Sequence, residues 1–80
     1  MLIKEAVVLR FQEICNERNI KYNELATLSG VTPSTVYSMM SVERKDLSII
    51  TIKKLCDGLE MTISDFFDHD IFRELEQEIK

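Results

Sequence analysis

Three groups of side chains in this chain could carry chemistry, and each implies a different kind. Cys15 and Cys56 are thiols, Asp68-His69-Asp70 sets an imidazole between two carboxylates, and Thr32, Ser34, Thr35, Tyr37 and Ser38 place five hydroxyls within seven residues. The thiols are too few and too far apart for a disulfide framework or a thiolate metal site. Beside Ile14 and Leu55 they read as buried small hydrophobes. The triplet has no second His or Cys nearby in sequence, so helix capping and solvated charge account for it. With no nucleophile–base pair, glycine-rich phosphate loop or metal set, the expectation is no enzyme, no metal, no cofactor and no small-molecule ligand. What remains is the hydroxyl group, whose chemistry is reversible hydrogen bonding on a surface.

The element that positions those hydroxyls is written in Leu25-Ala26-Thr27-Leu28-Ser29-Gly30-Val31-Thr32-Pro33-Ser34-Thr35-Val36. Ala26 is small enough for a second helix to cross close over the first. Gly30 accepts the positive φ that ends a helix tightly. Thr32 offers a capping hydroxyl, and Pro33 at the next position gives up only an N–H that would lack a partner anyway. Leu25 and Val36 face the wedge between the two helices. This is a helix-turn-helix, a unit able to lay its second helix in the major groove of DNA.

The flanking segments supply a body. A first helix is predicted from about Lys4 to Arg18, where Val7, Phe11 and Ile14 recur at helical spacing. Asn19-Ile20-Lys21 is a short turn with Ile20 as an inward plug, and the second helix spans roughly Tyr22 to Ser29 with no cap oxygen at Lys21. The third runs from Pro33 to about Met40, with Met39 and Met40 filling core gaps. Residues 41–47 form a charged loop. Ser48 caps a fourth helix, Ile49 to Asp57, which Gly58 is expected to stop. Thr62-Ile63-Ser64-Asp65 is a capping box opening a fifth helix that carries Phe66 and Phe67. After Asp70 comes an amphipathic segment with Ile71, Phe72, Leu75 and Ile79 on one side. The expected fold is all-α: a five-helix DNA-binding domain over residues 1–69 and a short helical extension over 70–80.

Charge limits the partners. The chain has 80 residues and a formal net charge of −4. Residues 1–59 carry eight Lys/Arg against seven Asp/Glu, whereas residues 60–80 carry two against seven. The acidity therefore belongs to the C-terminal end, and the near-neutral body is free to present one basic face. No apolar run is long enough to span a membrane, and the first residues lack the pattern of a secretory signal. The expectation is a cytoplasmic protein with no membrane partner.

Three blocks in order, Leu25-Ala26 … Ser29-Gly30-Val31-Thr32 … Ser34-Thr35-Val36, then Thr51-Ile52-Lys53-Lys54-Leu55-Cys56-Asp57-Gly58-Leu59, then Ser64-Asp65-Phe66-Phe67-Asp68, resemble the lambda-repressor-like (Cro/repressor, or XRE) helix-turn-helix family. The closing Leu75-Glu76-Gln77-Glu78-Ile79 is similar to short stand-alone regulators of that family from Gram-positive bacteria. The resemblance implies that Thr32, Pro33, Ser34, Thr35 and Ser38 face base edges, with Tyr37 beside them. It implies that Tyr22 and Asn23 meet a phosphate at the amino end of the second helix. Arg44, Lys45 and Ser48 would clamp the backbone of the other strand. The chain departs from the family pattern in four places: Val42 where Gly is common, Leu47 where Pro is common, Tyr22 in place of a frequent Gln, and an acidic Glu43 in the loop.

The third helix has no Arg, Lys, Asn or Gln, the side chains that usually read guanine and adenine. Hydroxyls and the Thr35 methyl discriminate less per base, so shape, phosphate register and two-fold repetition must carry more. The functional expectation is a sequence-specific DNA-binding transcriptional regulator, a repressor, binding double-stranded DNA as a homodimer. The alternative is a protein-interaction module on the same fold, antitoxin-like or anti-repressor, with weak or no DNA binding. Two placements stay open. Tyr37 either contacts DNA or lies exposed, or packed on Met40. The stripe Ile71, Phe72, Leu75 and Ile79 either joins a dimer partner or folds back on its own subunit.

Overall fold

The computed structural model describes residues 1–79 and consists of α1 (Ile3–Arg18), α2 (Tyr22–Ser29), α3 (Pro33–Met40), α4 (Ile49–Gly58), α5 (Ile63–Phe67) and a 3-10 turn (Asp70–Phe72). There is no strand among the described residues. The all-α, five-helix architecture matches the expected fold class. The core is shared by all five helices: Val7, Phe11, Ile14 and Cys15 of α1, Leu25 and Ala26 of α2, Val36, Met39 and Met40 of α3, Ile52, Leu55 and Cys56 of α4, Leu59, and Phe66 of α5. Phe11 and Phe66 meet at its centre with ring centroids 4.3 Å apart.

Helix ends follow local chemistry. Thr32, Ser48 and Thr62 each accept, through their hydroxyls, the backbone N–H three residues on, at 3.3, 3.2 and 3.0 Å. These caps satisfy donors that would otherwise be orphaned. α1 ends at Asn19, which takes the left-handed conformation (φ 56°) so that the Ile20 N–H donates to the Cys15 carbonyl at 3.0 Å. α2 ends the same way at Gly30 (φ 69°), and the Val31 N–H returns to the Ala26 carbonyl at 3.1 Å. Nothing lies near the space a Gly30 side chain would fill, so glycine serves there for its backbone freedom alone.

Gly58 corrects the sequence reading. It is the last residue of α4 rather than a stop, and it has no positive φ. The reversal falls two residues later, at Glu60 (φ 57°), where the Glu60 N–H donates to Asp57 and the Met61 N–H to Cys56, each at 3.0 Å. Gly58 is instead a close-approach position. A Cβ there would lie 3.0 Å from the Leu28 carbonyl carbon and the Ser29 Cα, and would run into the Ser29 hydroxyl. The missing side chain lets α4 cross tightly over the end of α2.

The C-terminal segment also differs from expectation. Among its described residues only Asp70–Phe72 is helical, as one 3-10 turn capped by His69, whose Nδ1 accepts the Ile71 N–H at 3.0 Å. Phe72 packs on its own chain, 4.8 Å from Phe67 and 5.9 Å from Phe66 between ring centroids. The chain then runs back to the start of α1. The Glu76 N–H donates to the Met1 carbonyl at 3.0 Å, the Met1 ammonium pairs with the Glu76 carboxylate at 2.9 Å, and the Ile3 N–H donates to Glu78 at 3.1 Å. Ile71, Phe72, Leu75 and Ile79 therefore do not form one helical stripe. An isolated helix of that length has too few internal bonds to offset nucleation, whereas the fold-back supplies partners at once.

Two arginines support the body in ways the sequence pattern did not signal. Arg10 donates to the Phe66 carbonyl at 2.8 Å and pairs with Glu13 at 2.9 Å, satisfying the end of α5. Arg18 donates to the Leu59 carbonyl.

Candidate nucleic-acid interface

The hydroxyls singled out in the sequence form a small network at the start of α3. The Thr32 Oγ1 lies 3.0 Å from the Ser34 hydroxyl and 2.9 Å from the Thr35 hydroxyl, while accepting the Thr35 N–H. A hydroxyl has one proton and two lone pairs, so Thr32 serves as a hub that orients its two neighbours. Thr32, Pro33, Ser34 and Thr35 are exposed and Ser38 is half-buried one turn on.

Ser34, Thr35 and Ser38 share an open groove with the α3–α4 loop: Arg44, Asp46, Leu47, Ser48 and Thr51 form its opposite wall around a volume of about 430 Å³. The start of α3 and the segment that follows it are thereby brought onto one surface. Lys45 is exposed on the same loop but lines a different depression, with Lys4, Val8, Leu9, Met40 and Val42. Asp46 is a residue that the sequence reading did not place in the groove. It introduces a negative charge beside the hydroxyls, and a carboxylate there accepts only from donors such as the cytosine amino group.

Tyr37 is exposed on the outer face of α3. Its ring stands edge-on to Tyr22, with centroids 5.5 Å apart and planes at 75°. That contact fastens the amino end of α2 to the outer face of α3. Burial pushes the Tyr22 phenol above its usual pKa, opposed by a hydrogen bond with Gln12. Asn23 is exposed in the first turn of α2.

The loop holds its shape without the glycine and proline common in related sequences. Val42 occupies a turn closed by the Arg44 N–H donating to the Ser41 carbonyl at 3.2 Å, and its φ is not positive, so no glycine is needed. Leu47 packs against the core and anchors the loop by burial rather than by ring stiffness. Of the two lysines on α4, Lys53 pairs with Asp57 one turn along the helix. No group of three or more His, Cys, Asp or Glu residues able to hold a metal occurs among the described residues. Among the described residues no helix is long and apolar enough to cross a membrane.

A capped second helix presenting polar side chains, a glycine corner, and a charged loop beside it define a helix-turn-helix domain. Residues 10–70 match the model of the Cro/C1-type helix-turn-helix DNA-binding domain, and the chain belongs to that family. Its members are DNA-binding transcriptional regulators, which are typically not enzymes. The chain is 25% identical over 61 residues, 76% of its own length and 82% of the other, to the SPbeta prophage-derived uncharacterized HTH-type transcriptional regulator YopS of Bacillus subtilis (strain 168). Its fold superposes on the crystal structure of the prophage Lp1 protein 11 with a TM-score of 0.78 and 35% identity. That match covers 90% of this chain and 95% of the other.

Proposed function

We propose that this protein is a sequence-specific transcriptional repressor that occupies a short operator in double-stranded DNA, as a homodimer in the cytoplasm. The observation that carries the reading is the shared groove, in which hydroxyls of α3 and the charged loop before α4 face one another across a single open surface. With α3 in the major groove, Thr32, Pro33, Ser34, Thr35, Tyr37 and Ser38 meet base edges, and the Pro33 ring and Thr35 methyl meet thymine methyls. Tyr22 and Asn23 meet a phosphate at the amino end of α2, and Arg44, Lys45 and Ser48 meet the other strand. Repression follows from occupancy: a bound dimer excludes polymerase from overlapping DNA.

Hydroxyl readout is weak per base, so two half-sites about one helical turn apart supply the remaining selectivity. For the dimer contact, half-buried Ile71 and Leu75 and exposed Ile79 are the candidates from the original set, since Phe72 is engaged within its own chain. The test is selection from a random duplex pool at two salt concentrations, with light scattering on the same sample. Enrichment of an inverted repeat that fades as salt rises, with a dimer in solution, is the expected result. A monomer that enriches no sequence at low salt refutes the reading.

A further inference from the structure

The α3–α4 loop carries the cations assigned to the phosphate backbone, yet few hydrogen bonds within it fix its backbone. Residues 41–48 contain no glycine or proline. Their internal bonds are the Ser41–Arg44 turn and the Glu43 N–H donating to the Ser41 hydroxyl at 3.3 Å. Leu47 provides the inward anchor.

A further tie comes from α1, far away in sequence. The Lys4 ammonium donates to the Ser41 carbonyl at 2.9 Å and to the Arg44 carbonyl as well. Those carbonyls are the two ends of the turn, so one cation spans it and sets the direction in which Arg44 and Lys45 leave it. The arrangement works against electrostatics. Burial first, then the charges of Lys45 and Arg44, lower the proton affinity of Lys4. Charge-assisted bonds to two carbonyls are what make this placement tolerable. Lys4 is itself firmly based: the Leu2 N–H donates to Glu5 at 3.3 Å and the Ile3 N–H to Glu78 at 3.1 Å, bracketing it in the first turn of α1.

Resting on the operator-binding reading above, we propose that Lys4 is a positioning residue for DNA binding, holding the Ser41–Arg44 turn so that Arg44 and Lys45 meet phosphates in register. Lys4 does not itself touch the phosphate. Its effect is on the fraction of molecules whose loop is ready to bind, and apparent affinity scales with that fraction.

The experiment uses the full chain, the selected operator duplex, and two variants. Lys4→Met keeps the apolar stem and removes the donors; Lys4→Arg keeps donors and charge. Lys4→Met is expected to weaken operator binding about tenfold, the effect of a binding-ready fraction reduced to about one tenth. The salt dependence should keep its slope, because Arg44 and Lys45 still release the same counterions once bound. Lys4→Arg should restore most of the affinity. Hydrogen exchange of residues 41–47 should accelerate in Lys4→Met, with the α1–α5 amides as protected as in the parent. Unchanged affinity, a slope shallower by about one ion, which marks a direct phosphate contact, or faster exchange throughout the domain would each overturn the proposal. Failure of the parent chain to bind any duplex overturns the operator reading and the DNA role of Lys4 with it. Loop exchange then still decides whether Lys4 holds the turn.

Discussion

Gly58→Ala isolates the crossing of α4 over α2, on which the relative placement of the loop and α3 depends. Helix propensity alone predicts a gain, since alanine is better than glycine inside a helix by about 0.8–1 kcal/mol. The geometry predicts the reverse. The new Cβ would stand 3.0 Å from the Leu28 carbonyl carbon and the Ser29 Cα, backbone atoms that cannot swing aside, and closer still to the Ser29 hydroxyl. Overpacking of this kind costs about 1–3 kcal/mol, so the net loss, after the propensity gain, should be about 0–2 kcal/mol. In a domain of this size that lowers the Tm by up to about 16 °C. Ser29→Ala sharpens the test. The Ser29 hydroxyl is buried without a hydrogen-bond partner, so its removal should be neutral or stabilising on its own. It also clears the worst contact, so Gly58→Ala should cost less in the Ser29→Ala background, with a coupling energy of about 1 kcal/mol in a double-mutant cycle followed by thermal and urea unfolding. A rise in Tm for Gly58→Ala alone, or additive effects of the two changes, would refute the close-approach argument.

Other perturbations test the remaining features. Glu60 bears a side chain at φ 57°, so Glu60→Gly or Glu60→Asn should stabilise the fold by about 1 kcal/mol, read as a higher urea midpoint. Gly30→Ala meets open space but the wrong backbone, and should lower the Tm by an amount matching about 1–2 kcal/mol, with Gly30→Asn much milder. Burial raises both thiols, Cys56 to about 11, so iodoacetamide at pH 8 should label neither until urea is added. The sign for stability follows: the unfolded chain loses its thiol protons first, so Cys56 stabilises the fold below pH 9 and that contribution falls away between about pH 9 and 11, with Cys15 acting in the same direction. Asp46→Asn removes a like charge from the proposed DNA surface, and operator binding should tighten about threefold at low salt, with the gain shrinking as salt rises.

The sequence alone determined the helix-turn-helix. Gly30, Thr32, Pro33 and the apolar positions Leu25, Ala26 and Val36 act within a dozen neighbouring residues, and local preferences of that kind are legible without knowing the rest of the chain. The caps at Ser48 and Thr62 and the burial of both cysteines follow from the same near-neighbour rules. Tertiary structure decided everything that depends on which surfaces meet. Gly58 looks like a helix stop in one dimension and is a contact in three, because the α2 backbone it must admit lies 29 and 30 positions earlier, at Ser29 and Leu28. Tyr37 meets Tyr22 because α2 and α3 bring these two rings together. The C-terminal stripe has the spacing of a helix, yet Glu76 and Glu78 pair with groups at the start of α1 instead. Lys4 carries no sequence signal at all. Only packing brings its ammonium to two carbonyls near position 42, where the backbone acceptors offset the cost of burial and the repulsion of neighbouring cations.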